Sequence, residues 1–399
     1  AACALHPSVL YLTATPMTEL PFVGLLLATT ALVVQWDGRS RRALAAAAAV
    51  AAALALTRYE GWALVPAGAL VVATASARRG WGRAGDAALW LAVASAGPLA
   101  WLWHNHAIYG DALWFVRGPY SARAVFAAQA SRLGWASFVV GNPAAALGWA
   151  LLTLAVVGGP VAVALAMAGA GARVASRRRE LLRDAPFALL FVPFAFLVLS
   201  LFRGEVQIYP LAAVALLNVR YGVPYVAAAA LLLPALGRGA RPRRALAAVA
   251  ALVALQYAAL AAEGFSQLAV CQEPLRNSRN ARPWRDREQL AAWLAANPPA
   301  GLVLMHAGEL GPVVPASGLT FSRVVHEGSR EWHEWLGSGA VPAGVGAVVM
   351  REGDEVSARL ARDPDFARAF ALAYAVEGPP RLEVWVRGQV GSAPVTPAS

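Results

Sequence analysis

The sequence predicts a mostly α-helical fold: a polytopic transmembrane helical bundle over residues 1–262, a C-terminal extracytoplasmic α/β domain over 263–390, and a loose tail over 391–399. Three observations carry this reading. Of 399 residues, 58% are hydrophobic and 14% charged, and the mean hydropathy is +0.52, too apolar for an ordinary soluble chain. The net charge of +11 is gathered in short segments between apolar runs. Beyond about residue 262 the long apolar runs give way to short periodic segments that read as strands and amphipathic helices.

The charge fixes an orientation. Residues 35–42, 76–86, 173–184 and 237–244 hold 15 Arg against 4 acidic residues, whereas the rest of 1–262 holds 6 against 4 and the remainder of the chain 13 against 15. Excess Arg in short loops is the positive-inside pattern, so these four loops are expected in the cytoplasm. Nucleic-acid binding, the other use of a basic chain, loses its support. Cys3 and Cys271 make neither a disulfide framework nor a metal motif. The opening Ala1-Ala2-Cys3, with no Met and no signal segment, reads as a piece of a longer chain lacking its N-terminus.

Residues 1–18 read as the end of an earlier span and a loop bracketed by Pro7 and Pro16. Glu19 opens the first complete span, 20–36, where an acid suits the helix macrodipole. Residues 43–56 return outward to Arg58-Tyr59-Glu60, and 63–75 descend again. Each arm of about 14 residues makes about 21 Å of helix, short of a ~30 Å hydrocarbon core. The cluster is therefore expected below the outer surface, in a wet pocket lined by protein. The alternative is a hairpin turn with Arg58 and Glu60 solvated at the interface and Trp62 as a belt residue. Ala runs on both arms suit close helix packing. Residues 87–103 carry Asn105 and Asp111 to the same outer side, and 122–133 read as an amphipathic surface helix with Arg123 and Arg132 up, Val125 and Phe126 down. Spans at 143–172, 186–202, 225–236 and 245–262 follow, with Arg203-Gly204-Glu205 and Asn218-Val219-Arg220-Tyr221 at the outer mouth. Eight spans then alternate without a charge violation.

Four acids fall on the outer face of this portion, Glu19, Glu60, Asp111 and Glu205, in company with Arg58, Arg203 and Arg220. Arginines fork onto phosphate oxygens, an acid activates a hydroxyl, and aromatic rings flank sugar or lipid. A ring of such residues also serves simply to tether helix ends.

In the C-terminal part, Asp286 and Gln289 have the spacing of a capping box opening a helix over 287–296, which Asn297-Pro298-Pro299 stops. Residues 302–306 and 346–350 read as buried strands, 354–362 as a helix, and 381–386 as an alternating strand. His306, Glu309, His326, Glu327, Glu331, His333 and Glu334 lack a metal-ligand spacing, so no metal site is expected.

The order Pro16-Met17-Thr18-Glu19, Leu56-Thr57-Arg58-Tyr59-Glu60-Gly61, Asn105 to Tyr109-Gly110-Asp111, then Asn218 to Arg220-Tyr221 and Pro224, resembles the GT-C superfamily of membrane glycosyltransferases. Within it, glycosyltransferase family 39 and its bacterial dolichyl-phosphate-mannose mannosyltransferase-like relatives are the nearest pattern, over residues 1–262. The resemblance implies a bacterial inner-membrane enzyme that moves a sugar, mannose-like or other, from a polyprenyl-phosphate donor to a glycan, lipid or protein acceptor outside the cytoplasm. It implies no cofactor and no metal. Glu19 would be the catalytic acid of this helix, and Arg58 and Arg220 would hold the lipid phosphate. Tyr59, Glu60, Asn105, Asp111, Arg203 and Tyr221 would complete the substrate site. The family's principal catalytic acid would lie upstream of Ala1, which would leave this chain inactive alone. Two other functions stay open: a lipid-linked saccharide transporter or flippase, and a non-catalytic membrane scaffold presenting the outer domain.

Overall fold

The computed structural model describes residues 3–15, 17–36, 38–77, 83–133, 138–176, 185–208, 218–232, 242–262, 270 and 282–388. The expectations for Cys271 and for the 391–399 tail, and most of the Arg-rich loops at 173–184 and 237–244, lie outside these residues. The chain is mostly helical with one small sheet, and it divides into two compact units, Ala1–Arg276 and Asn277–Ser399. That boundary falls later than the expected 262/263. Val270 explains the difference, since its N–H donates to Ser8 Oγ at 2.9 Å and its side chain is buried in the first unit.

In the first unit the helices are α1 (Pro7–Thr13), α2 (Glu19–Gln35), α3 (Arg41–Thr57), α4 (Glu60–Ala77), α5 (Arg83–Ala94), α6 (Ala96–Tyr109), α7 (Trp114–Arg117), α8 (Ala122–Leu133), α9 (Pro143–Gly158), α10 (Pro160–Ser176), α11 (Val192–Arg203), α12 (Val223–Leu232) and α13 (Pro242–Ala261). Two 3-10 turns, Ala185–Phe191 and Val219–Gly222, lead into α11 and α12. The expected loop over 1–18 contains α1, whose start is capped by His6 accepting from the Ser8 N–H.

Against the eight expected spans, the described residues hold two helices long and apolar enough to cross a membrane, Ala84–Tyr109 (26 residues) and Ala185–Arg203 (19 residues), or three if the bent pair over 143–171 is one span. Shorter apolar helices accompany them: Glu19–Gln35, Glu60–Ser76, Val219–Leu232 and Ala247–Ala258. The expected single span over 143–172 is two helices bent by 114°. Gly159 (φ 82) adopts a conformation open to glycine, and Pro160 then starts α10 without an N–H to extend the ladder of α9. Where α5 meets α6, Pro98 has no N–H for the carbonyl four residues back, that of Ala94, yet Ser95 and Leu99 keep the backbone ladder running.

Small residues set the spacing of α2 to α6. Ala47, Ala48 and Ala51 are fully buried in a core with Phe22, Leu26 and Trp90. A Cβ at Gly97 would strike the carbonyl oxygen of Ala52, and one at Gly68 would strike the indole of Trp90, so both glycines permit contacts that any larger residue would block. A second core joins α1, α9, α11 and α12 through Leu12, Ala150, Leu197 and Val226.

The second unit is a five-stranded sheet of order β2-β1-β3-β5-β4, with β1 (Leu302–Leu304), β2 (Val324–Val325), β3 (Val345–Arg351), β4 (Phe370–Val376) and β5 (Leu382–Arg387). β1 pairs parallel with β2 and β3, while β5 runs antiparallel to β3 and β4, with Val349 opposite Val384. One sheet face packs on α14 (Arg282–Ala296) through Leu290 and Leu294. The other packs on α15 (Arg330–Ser338), α16 (Glu355–Leu360) and α17 (Phe366–Ala369) through Trp332, Trp335, Leu360 and Phe366. The capping-box expectation fails: α14 starts at Arg282, so Asp286 lies inside the helix, where its spacing to Gln289 has no end to cap.

Candidate functional site

The site of the first unit is made where three chain reversals meet: the start of α2, the turn from α3 to α4, and the 3-10 turn before α12. Arg58 leaves α3 in an extended conformation (φ -156, ψ 150), and the next turn closes with Gly61 N–H donating to Arg58 O at 3.0 Å. Trp62 Nε1 donates to Ala55 O at 3.1 Å, which satisfies one of the carbonyls left open by the end of α3. Its indole N–H thus has a structural partner besides any belt role. On the other side Asn218 sits at φ 58, a left-handed conformation that Asn tolerates, and its Nδ2 donates to Gln207 O at 2.9 Å. This turn delivers Arg220 and Tyr221.

The charges converge on Glu19. Its Oε1 accepts from Arg58 Nη1 at 2.8 Å and pairs with Arg220 Nε at 3.0 Å. Arg58 also reaches Glu60 Oε1 through Nε at 3.0 Å and Nη2 at 2.8 Å, and its Cζ lies 4.6 Å from the Tyr221 ring centre. The side chains of Glu19, Arg58, Glu60 and Arg220 are 2%, 10%, 10% and 30% exposed. Two guanidiniums and two carboxylates make a formally neutral cluster, which is what allows such charges to stay buried. Glu19 Oε2 is buried with no hydrogen-bond partner.

These groups line a cavity of about 440 Å³ whose further wall is Tyr59, Trp62 and Trp101. Trp101 Nε1 donates to Tyr59 Oη at 3.2 Å, and Tyr59 stacks on Phe115 at 5.0 Å. A second cavity of about 830 Å³ shares Tyr59, Glu60, Trp62 and Tyr221 with the first and extends to Arg203 and Glu205. Those two are paired at 2.9 Å around Gly204, whose left-handed conformation (φ 68) ends α11.

Of the residues singled out in the sequence, Glu19, Arg58, Tyr59, Glu60, Arg220 and Tyr221 are therefore brought together, and Arg203 lines the adjoining cavity. Asn105 and Asp111 line neither. Asn105 is buried, with Nδ2 donating to Trp101 O at 2.8 Å one turn back, and Asp111 accepts from the Leu113 N–H at 2.9 Å and faces Arg117 at 3.9 Å. Both side chains serve backbone and helix ends. Trp101 and Phe115 are not singled out by the sequence, because aromatic residues among apolar neighbours look like core. Among the described residues no three His, Cys, Asp or Glu side chains converge as a metal site.

No family model, no curated protein and no solved structure matches this chain.

Proposed function

We propose that the first unit is an integral-membrane glycosyltransferase of the GT-C kind, multi-pass in a bacterial inner membrane, that takes a sugar from a polyprenyl-phosphate donor to an extracytoplasmic acceptor. The observation that carries the reading is Glu19: a buried carboxylate held through one oxygen by two arginines, at the wall of a cavity, with its other oxygen unengaged. Arg58 is committed to both acids and orients them. Arg220 is the better phosphate ligand, because among the described residues its carboxylate contact runs through Nε, and its more exposed guanidinium has terminal nitrogens to offer. In the transfer, the acceptor hydroxyl oxygen bonds to the anomeric carbon as the bond to the phosphate oxygen breaks. The electron pair leaves with the phosphate, beside Arg220, and the hydroxyl proton passes to a carboxylate, a role we assign to Glu19 because the residue lines the cavity. The membrane placement rests on the Arg distribution and the apolar helices.

The test is transfer of labelled sugar from a panel of polyprenyl-phosphate donors in membranes, beside Glu19→Gln and Arg220→Ala. Transfer lost in Glu19→Gln and weakened in donor affinity by Arg220→Ala is expected. Transfer undiminished in both variants, or none from any donor in native membranes that hold the protein, contradicts the reading. One observation favours a second reading, a lipid-linked saccharide transporter: α9 and α10 are a discontinuous, sharply bent pair, a feature of transporters. Flux of a labelled lipid-linked sugar across vesicles, without transfer, would support it.

A further inference from the structure

The second unit holds a cavity of its own, about 520 Å³, which is within the size range of small-molecule sites. It forms where the helical layer over the sheet stops short. Arg381, just before β5, and Glu383 and Trp385 within it turn to that layer, while Leu382 and Val384 face the opposite core. Small residues, Gly353, Ala358 and Ala367, leave the space unfilled. Phe366 and Trp385 give the cavity an aromatic floor, their ring centres 5.3 Å apart.

Its polar groups are fixed in place. Glu383 pairs through Oε1 with Arg381 Nε at 3.1 Å and accepts from Trp385 Nε1 at 2.8 Å through Oε2. Glu352 and Arg381 are locked together at the end of the β3–β5 ladder: Glu352 N–H donates to Arg381 O at 2.8 Å, and Arg381 N–H to Glu352 Oε2 at 3.1 Å. Asp363 is held through Oδ1, which accepts from the Asp365 N–H at 2.9 Å. Glu352 Oε1 and Asp363 Oδ2 have no partner among the described residues.

We propose that this cavity is a saccharide-binding site. Three carboxylates against one guanidinium repel an anion, and a simple cation that answers them leaves the apolar wall of Leu360, Phe366 and Trp385 uncovered. An uncharged ring edged with hydroxyls both donates to the carboxylates and accepts from Arg381, and its C–H face covers the apolar surface of Phe366 and Trp385. The site stands apart from sugar transfer. Binding here requires no reaction, so the two proposals fail separately.

The full chain in lipid nanodiscs free of glycolipid and sugar detergents is titrated with the methyl glycosides of mannose, glucose, galactose and N-acetylglucosamine, and with arginine methyl ester as a cation probe, read by saturation-transfer NMR. Saturable binding of at least one glycoside with a Kd of about 1 mM or tighter is expected. Glu352→Gln should weaken it at least about tenfold, a loss of roughly 1.4 kcal/mol. Ala358→Phe, at an exposed helix position lining the cavity, should abolish it while the unfolding transition of the unit stays unchanged. No saturable glycoside binding, binding of the cation probe instead, or glycoside affinity unaltered in both variants would overturn the proposal.

Discussion

Removing the Arg58 guanidinium tests whether the charge cluster is as desolvated as its geometry implies. Arg58 bridges Glu19 and Glu60 with three contacts of 2.8 to 3.0 Å, and all three side chains are at most 10% exposed. Arg58→Met keeps most of the volume but removes the cation. Glu19 then retains Arg220, while Glu60 loses the donors described for it, and the neutral cluster becomes net negative. Breaking a buried pair from one side costs about 3–5 kcal/mol, far above the roughly 0–1 kcal/mol of a solvated pair. Adding Glu60→Gln removes the stranded charge, so the double variant should regain a large part of the loss; Arg220→Ala alone should cost only about 1–2 kcal/mol. Equilibrium unfolding in mixed micelles measures all four proteins. If Arg58→Met lies within about 0.5 kcal/mol of wild type, or Glu60→Gln restores nothing, the cluster is solvated and the hairpin-turn reading stands.

Other substitutions test the scaffold around it. Gly97→Ala should destabilise the first unit by about 1–3 kcal/mol by forcing α6 off the Ala52 carbonyl, whereas Gly148→Ala, with nothing within 4 Å of the new Cβ, should be neutral or slightly stabilising; thermal unfolding compares them. Asp354→Ala should cost the second unit about 1–2 kcal/mol, because Asp354 accepts from the Ser357 N–H at 2.7 Å through Oδ1 and from the Arg351 N–H at 2.9 Å through Oδ2, and Asp354→Asn, with one acceptor oxygen for two donors, should recover only part of it in a denaturant titration. Burial lowers the His333 pKa from 6.5, outweighing its contact with the Glu327 carbonyl. Between the lowered folded value and 6.5 the unfolded chain binds the proton and the folded chain does not. Stability is thus complete above 6.5, declines as pH falls through that window, and levels off below the folded pKa. Unfolding of the second unit followed from pH about 8 to about 4 should lose this slope in His333→Gln.

The Arg58-Tyr59-Glu60 stretch was legible because charged residues stand out between Ala-rich arms, and α3 and α4 end within a few residues of the expected arms. Its partners were legible by type but not by distance: nothing in the spacing of residues 19, 58 and 220 says that both arginines share one oxygen of Glu19. The break at Gly159 was written in Gly158-Gly159-Pro160, but unbroken hydropathy over 143–172 hides a turn made of apolar residues. Asp286 misled for a related reason. A capping pair states a spacing, and only the end of a helix gives it a function. β4, Phe370–Val376, is harder to read in the sequence because it alternates bulky residues with Ala and not apolar with polar, although pairing with β5 fixes its place in the sheet.

The aromatic wall of the first cavity also makes the protein optically addressable. Tyr59 has Trp62 and Trp101 at 5.9 and 6.4 Å and Phe115 at 5.0 Å, while the second unit holds Trp332 and Trp335 edge to face at 4.9 Å. Rings this close and held at fixed angles couple their electronic transitions and give strong near-ultraviolet circular dichroism, which mobile rings average away. Each unit therefore carries its own intrinsic chromophore. A ligand that enters the Tyr59 cavity will perturb the contribution of Tyr59, Trp62 and Trp101, so loading can be followed in an unlabelled sample.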